Sequence, residues 1–284
     1  MIEEIKFTKM HGIGNDYVYI DCMKHTPDKL SELSIEMSDR HTGIGGDGII
    51  LILPSEVADF KMRIFNADGS EAKMCGNGIR CVGKYVYDFG LTSKTEIAVD
   101  TNSGIKYLKL KPGADGKISE VTVDMGEPNL IAAQVPVEFS GEQMVETEVE
   151  TNTGGIVAIT AVSMGNPHGV IFYEGETPDV HATGRELEMH PMWPDRANIE
   201  FANVISPSEI SMRVWERGSG ETMACGTGAC ATAVAAITTG RANRTVTIHL
   251  LGGDLSIYWN PEDNHVYMTG GATTVFTGTY PRQN

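Results

Sequence analysis

Met62-Arg63-Ile64-Phe65, followed by Glu71 and by Cys75-Gly76-Asn77-Gly78, returns 150 positions later as Met212-Arg213-Val214-Trp215, Glu221 and Cys225-Gly226-Thr227-Gly228. The same ungapped shift carries Gly90 onto Gly240, and a shift of 151 carries Gly14-Asn15 onto Gly165-Asn166. Glycine is abundant, at 32 of 284 residues. A register kept from Met62 to Gly90 and through a cysteine in each copy is nevertheless more than composition produces. It reads as an internal duplication. Each half has a strand, a glycine-rich turn carrying one cysteine, and a helix that runs apolar. The seam is expected near Gly126-Glu127-Pro128, where a strand meets a turn signal. That gives domains 1–125 and 126–271, with the last strand, 272–284, returning to the first.

Outward from this repeat the chain alternates in short β-rich segments. Phe60 to Ile64, Val121 to Met125, Ile156 to Val162, Val170 to Phe172, Val246 to Leu250, Leu255 to Trp259 and Val275 to Tyr280 read as strands, as does Tyr17 to Cys22. Helical patterns are few. Pro27 to Arg40 reads as a surface helix with Leu30, Leu33 and Met37 on one face, and two apolar helices run from Gly78 to Phe89 and from Gly228 to Thr238. Many strands around few helices imply an α+β chain of antiparallel sheets rather than βαβ winding.

Asp and Glu number 38 against 22 Lys and Arg, a net charge of −16. Such a polyanion argues against nucleic acid and anionic membrane surfaces, which both bind through Lys and Arg. No apolar run approaches the roughly 18 residues of a membrane span, and MIEEIKFTKM has neither the basic nor the apolar region of an export signal. A cytoplasmic protein is expected. Five cysteines, an odd count with no export signal, speak against a disulfide scaffold and leave thiol chemistry open.

Cys75 and Cys225 each stand just before the first turn of an expected helix. The first N–H groups of a helix lack internal partners and carry about half a positive charge. Such a place lowers a thiol's pKa and binds carboxylate, and glycine lets the backbone approach a ligand closely. Two such turns from related halves are expected to face each other, with a substrate carboxylate held between them and one thiol on each side of its α-carbon. One thiolate would remove the α-proton, the opposite thiol would deliver one to the other face, and the configuration would invert. No electron-sink cofactor is demanded. Cys22, Cys81 and Cys230 read instead as small buried residues. Zinc is disfavoured: five and four residues separate Cys75 from Cys81 and Cys225 from Cys230, where fingers need two, and no histidine follows at finger spacing.

With these residues in place, the chain resembles the diaminopimelate epimerase family over essentially its whole length, from His11-Gly12-Ile13-Gly14-Asn15-Asp16 to the terminal strand. The most specific blocks are Met74 to Cys81, Gly165-Asn166-Pro167-His168, Trp215-Glu216-Arg217-Gly218 and Ala224 to Gly228. The resemblance implies two pseudo-symmetric domains, each a mainly antiparallel sheet wrapped around a central helix, and a cofactor-independent isomerase of lysine and peptidoglycan-precursor synthesis. It implies Cys75 and Cys225 as catalytic thiols and Asn15, Asn66, Asn166 and Asn198 as substrate-binding asparagines. Glu216 and Arg217 would grip the substrate's amino and carboxylate groups, and Gly76-Asn77 and Gly226-Thr227 would cradle the reacting carboxylate. His168 and Glu216 would tune the thiols. The family further implies a homodimer acting on a small molecule, with no metal and no cofactor. The chain departs from the family at Gly48, where some members carry glutamine, and at Gly271, where many carry proline.

Gly43-x-Gly45-x-x-Gly48 fits the dinucleotide fingerprint, but a helix-like segment precedes it where a strand is required. Two other functions share the expected fold. One is a proline or hydroxyproline racemase-like enzyme, against which stand Glu216-Arg217 and the asparagines, which suit a longer substrate with a second polar end. The other is a catalytically silent binding protein, against which stand both cysteines in intact turns.

Overall fold

The computed structural model describes residues 2–151 and 155–283, and within them the chain divides into two compact units. Unit 1 comprises residues 1–123 and 270–284, and unit 2 comprises residues 124–269.

Unit 1 begins with β1 (Ile2–Gly12) and β2 (Asn15–Asp21), then α1 (Leu30–Ser38), β3 (Gly48–Leu53), β4 (Phe60–Asn66) and the short β5 (Glu71–Ala72). It continues with α2 (Gly76–Asp88), β6 (Glu96–Thr101), β7 (Gly104–Pro112) and β8 (Ile118–Asp124). Most neighbours are antiparallel, but β2 pairs with β3, and β4 with β6, in parallel. At each of these parallel steps the chain crosses over through a helix, first α1 and then α2. The sheet is thus mainly antiparallel, as expected, with two parallel steps: the sequence pattern showed the strands but not which connections cross over.

Unit 2 repeats the plan. It has β9 (Thr147–Glu150), β10 (Ile156–Ser163), β11 (Pro167–Phe172), α3 (Val180–Glu188), β12 (Asn198–Ser206), β13 (Glu209–Glu216), β14 (Gly220–Glu221), α4 (Gly226–Thr238), β15 (Thr245–Leu250), β16 (Gly253–Trp259) and β17 (Val266–Gly270). Here β11–β12 and β13–β15 are the parallel steps, crossed through α3 and α4. The last strand, β18 (Thr273–Gln283), pairs antiparallel with β1 in unit 1.

The duplication is visible atom by atom. α1 and α3 start 150 residues apart, as do α2 and α4. Arg63 holds Glu71 across β4 and β5 through Nε–Oε1 at 2.8 Å and Nη2–Oε2 at 3.0 Å, and Arg213 holds Glu221 across β13 and β14 at 2.6 and 2.9 Å. Gly90 and Gly240 end α2 and α4 with the same φ of 74°, a left-handed value that glycine adopts without cost.

α2 and α4 are the central helices. α2 is buried from Gly76 to Val86 and contacts β1, β2 and β7. α4 is mostly small residues, with five alanines and two glycines, and these let β10 to β13, β15 and β16 approach it from several sides. α1 and α3 instead cover separate clusters: Leu33 and Met37 pack with Val18, Ile49, Leu51 and Phe65, and Val180 and Leu187 with Ile171, Trp193, Ile199 and Phe201. Among the described residues no helix is long and apolar enough to cross a membrane.

Candidate active site

In unit 1, Cys75 is the N-cap of α2. Its backbone is extended (φ −140°, ψ 115°), which stops the helix there and turns the side chain back over the first turn. Sγ accepts from Gly78 N at 3.3 Å and donates to Asn15 Oδ1 at 3.3 Å. Asn15 is held in that orientation by Asp47, whose Oδ2 accepts from Asn15 Nδ2 at 2.7 Å and from Asp16 N at 3.0 Å. Gly76 and Asn77 form the buried first turn. A Cβ on Gly12 would lie 2.9 Å from the Asn77 carbonyl oxygen, so glycine lets β1 close against that turn. Asn66 ends β4, and its Nδ2 donates to Ser70 Oγ at 3.1 Å.

Unit 2 repeats the cap with different chemistry around it. Cys225 precedes α4 in the same extended conformation, and Sγ accepts from Gly228 N at 3.4 Å with Thr227 Oγ1 at 3.5 Å. Burial pushes the Cys225 thiol well above its usual range, and the carboxylates of Glu216 and Glu200 push it the same way. The hydrogen bonds from Thr227 and Gly228 act in the opposite direction and do not offset it. The helix N-terminus is expected to lower this thiol's pKa; burial and the two carboxylates push it the other way.

Asn198 opens β12, donating from Nδ2 to Pro167 O at 3.1 Å and accepting at Oδ1 from Arg217 N at 3.0 Å. Arg217 is exposed, and its Nη1 donates to Asp195 O at 2.8 Å. Glu216 ends β13 and accepts from Thr222 Oγ1 at 2.5 Å. His168 lies beside Asn166 at the start of β11, with Nε2 3.0 Å from Asn166 Oδ1. Its Nδ1 is 2.7 Å from Glu200 Oε1, and neither His168 nor Glu200 is exposed.

The structure thus joins Asn15 to Cys75, Thr227 to Cys225, Asn166 to His168, and Asn198 to the Arg217 backbone. Reading the sequence missed Asp47, Thr222 and Glu200. Glu200 had a readable signal, since an acid between Ile199 and Phe201 in an apolar run is seldom buried without a purpose. Asp47 was passed over inside the glycine-rich turn that mimics a dinucleotide fingerprint. That turn follows α1 and leads into β3, the reverse of the strand-to-helix order such a site needs. At Gly48 a Cβ would lie 2.1 Å from the Phe65 carbonyl oxygen, so a side chain there requires the backbone to shift. Gly271 has room for one, and its carbonyl accepts from Arg80 Nε at 3.2 Å. Among the described residues no group of three His, Cys, Asp or Glu side chains is placed to hold a metal ion.

A family model for diaminopimelate epimerase matches residues 7–131 and 160–275. The chain is 55% identical to the diaminopimelate epimerase of Desulfovibrio desulfuricans over 287 residues, which covers 99% of each. It is 53% identical to that of Acetivibrio thermocellus over 275 residues, covering 96% of this chain and 98% of the relative. Among solved structures, a Bacillus anthracis phenazine biosynthesis protein of the PhzF family matches with a TM-score of 0.71 at 16% identity, over 98% of this chain and 99% of that one. A hydroxyproline epimerase from Agrobacterium vitis with bound trans-4-hydroxy-L-proline matches at 0.69 and 14%, over 99% and 92%. At these identities the two structures share the fold alone.

Proposed function

Because the chain belongs to the diaminopimelate epimerase family, we propose that it is an isomerase interconverting LL- and meso-diaminopimelate through two cysteine bases, in lysine and peptidoglycan-precursor synthesis. The observation that carries the reading is the repeated cap: each unit sets one cysteine at the N-terminus of its central helix, with its sulfur over the first-turn N–H groups.

In the direction that starts at Cys75, its thiolate takes the α-proton, and the electron pair left on carbon spreads into the substrate carboxylate. First-turn N–H groups of Gly76-Asn77 and Gly226-Thr227 stabilise that charge. The Cys225 thiol then donates its proton to the opposite face of the carbon, leaving Cys225 as thiolate. The neutral form favoured at Cys225 supports giving it the donor's part. The reverse reaction exchanges the roles. Asn15, Asn66, Asn166, Asn198, Glu216 and Arg217 hold the substrate's amino and carboxylate groups, and His168 and Glu216 tune the thiols. Protons and charge are all supplied by the chain, so no cofactor enters. The family resemblance also supports a homodimer working in the cytoplasm, and a protomer mass in sedimentation equilibrium would contradict the dimer.

The test is incubation with LL-diaminopimelate in D₂O, following configuration and α-deuterium together. Wild type should form meso product carrying deuterium. Cys75→Ala and Cys225→Ala should each abolish epimerisation with the fold retained by circular dichroism, and any residual exchange should prefer opposite stereoisomers in the two variants. A fully active Cys225→Ala enzyme would end the two-base mechanism.

A further inference from the structure

The two repeated asparagines are held in opposite senses. In unit 1, Asp47 takes the amide NH₂ of Asn15 and leaves its oxygen to the thiol. In unit 2, the Asn166 oxygen faces His168 Nε2 at 3.0 Å, while His168 Nδ1 faces Glu200 Oε1 at 2.7 Å. Each ring nitrogen thus faces an oxygen, and hydrogen bonds to both would need a hydrogen on each.

The fold does not require the carboxylate. Strand pairing sets the counterparts: Gly169 faces Ile199 as Val18 faces Ile49, so His168 and Glu200 correspond to Tyr17 and Ile50, both buried. The places are equivalent in space: a Cβ on Gly78 would meet Ile50 Cδ1 at 2.6 Å, and a Cβ on Gly228 would meet Glu200 Oε1 at 2.7 Å. Hydrocarbon fills in unit 1 the position that unit 2 gives to a carboxylate. Glu200 is moreover incompletely satisfied, because its buried Oε2 has no hydrogen-bond partner among the described residues. Buried groups that serve packing alone are almost always partnered, and leaving one unpartnered costs stability. A buried acid that is dispensable for the fold and costly to bury is kept for what it orients.

We propose that Glu200 is a positioning residue for the reaction: through His168 it fixes the Asn166 amide with its oxygen turned inward and its NH₂ left to donate to a carboxylate of the substrate. The inference rests on Asn166 being a substrate contact, as in the proposed function. If Glu200 loses its charge, His168 keeps one ring hydrogen, on Nδ1, and Nε2 becomes an acceptor. Asn166 then turns its NH₂ to the ring and presents oxygen to the substrate carboxylate, replacing an attraction with a repulsion.

The test combines kinetics with NMR of the ¹⁵N-labelled imidazole in ligand-free protein. Wild type should show His168 with hydrogens on both nitrogens. Glu200→Gln should lose one of them and raise the KM for diaminopimelate roughly tenfold or more, with a smaller change in kcat. A second variant, Glu200→Ile, installs the residue unit 1 already carries at the equivalent place and should raise KM in the same way. A wild-type ring with a single hydrogen would overturn the proposal, as would Glu200→Gln with unchanged KM, or with kcat lost and KM intact. If wild type does not turn over diaminopimelate, the substrate reading fails, and the imidazole signals alone uphold or overturn the Glu200–His168–Asn166 arrangement.

Discussion

Cys81 lies wholly inside unit 1, where burial pushes its thiol up to about 11 despite a hydrogen bond with Tyr19, and the same cause pushes Cys22 up to about 12. In the unfolded chain both thiols titrate near 9.0, so above that pH the folded state holds protons that the unfolded state has released. The stability this contributes is complete below pH 9 and is lost as pH climbs toward the folded values. The urea midpoint should therefore fall between about pH 8 and about pH 10.5, with a shallower fall in Cys81→Ala. Equal slopes in the two proteins would refute the assignment to Cys81. Arg217 can be tested by turnover. A charge-assisted contact to substrate is worth roughly 1.5–3 kcal/mol, so Arg217→Ala should lower kcat/KM by about tenfold or more. Wild-type kcat/KM in the variant would remove Arg217 from the substrate contacts. The repeated cysteines were legible in the sequence because capping is a local property, written within four residues. Glu200 was not, because its partner His168 is 32 residues away and joins it only when β11 and β12 pair.

Among the elements, α2 and α4 were legible nearly to their ends, and the expected starts at Gly78 and Gly228 moved to Gly76 and Gly226 because the cysteines themselves are the caps. α1 is shorter than the expected Pro27 to Arg40, since Lys29 takes a left-handed conformation (φ 52°) that a helix cannot continue through. α3 went unread: only Val180, Gly184, Leu187 and Glu188 are buried on it, too sparse an apolar face to announce a helix. Its start is nonetheless signalled by Asp179, whose Oδ1 accepts from His181 N and Ala182 N at 3.0 Å each. The 150-residue shift from α1 pointed to the same place. Asp179→Ala should cost about 1 kcal/mol of stability, read from urea unfolding. An unchanged midpoint would mean the cap contributes nothing. β3 and β12 were also missed, because strands buried on both faces lose the alternation by which half-buried strands are recognised.

For the whole molecule, the excess of 16 negative charges places like charges near one another in the folded state, which self-repulsion destabilises. Salt screens exposed charges over about 10 Å at 0.1 M. Thermal unfolding at neutral pH should accordingly shift upward when sodium chloride rises from about 0.01 M to about 0.1 M, the range in which the screening length contracts most. A downward shift would mean that the exposed ion pairs, such as Lys111–Glu120, contribute more than the net repulsion costs.

The sequence by itself determined the duplication, the two capping cysteines, the glycine turns and the family, because each is carried by residue identity over a short span or by identity repeated at a constant shift. Only the tertiary structure decided that each helix bridges parallel strands, that burial and two carboxylates push the Cys225 thiol up, and that Glu200, buried beside His168, stands where the first repeat has hydrocarbon. These depend on which distant segments are brought together and how much water they exclude. A thiol responds to the carboxylates and the burial around it, and neither is written in the four residues that place it at the helix end.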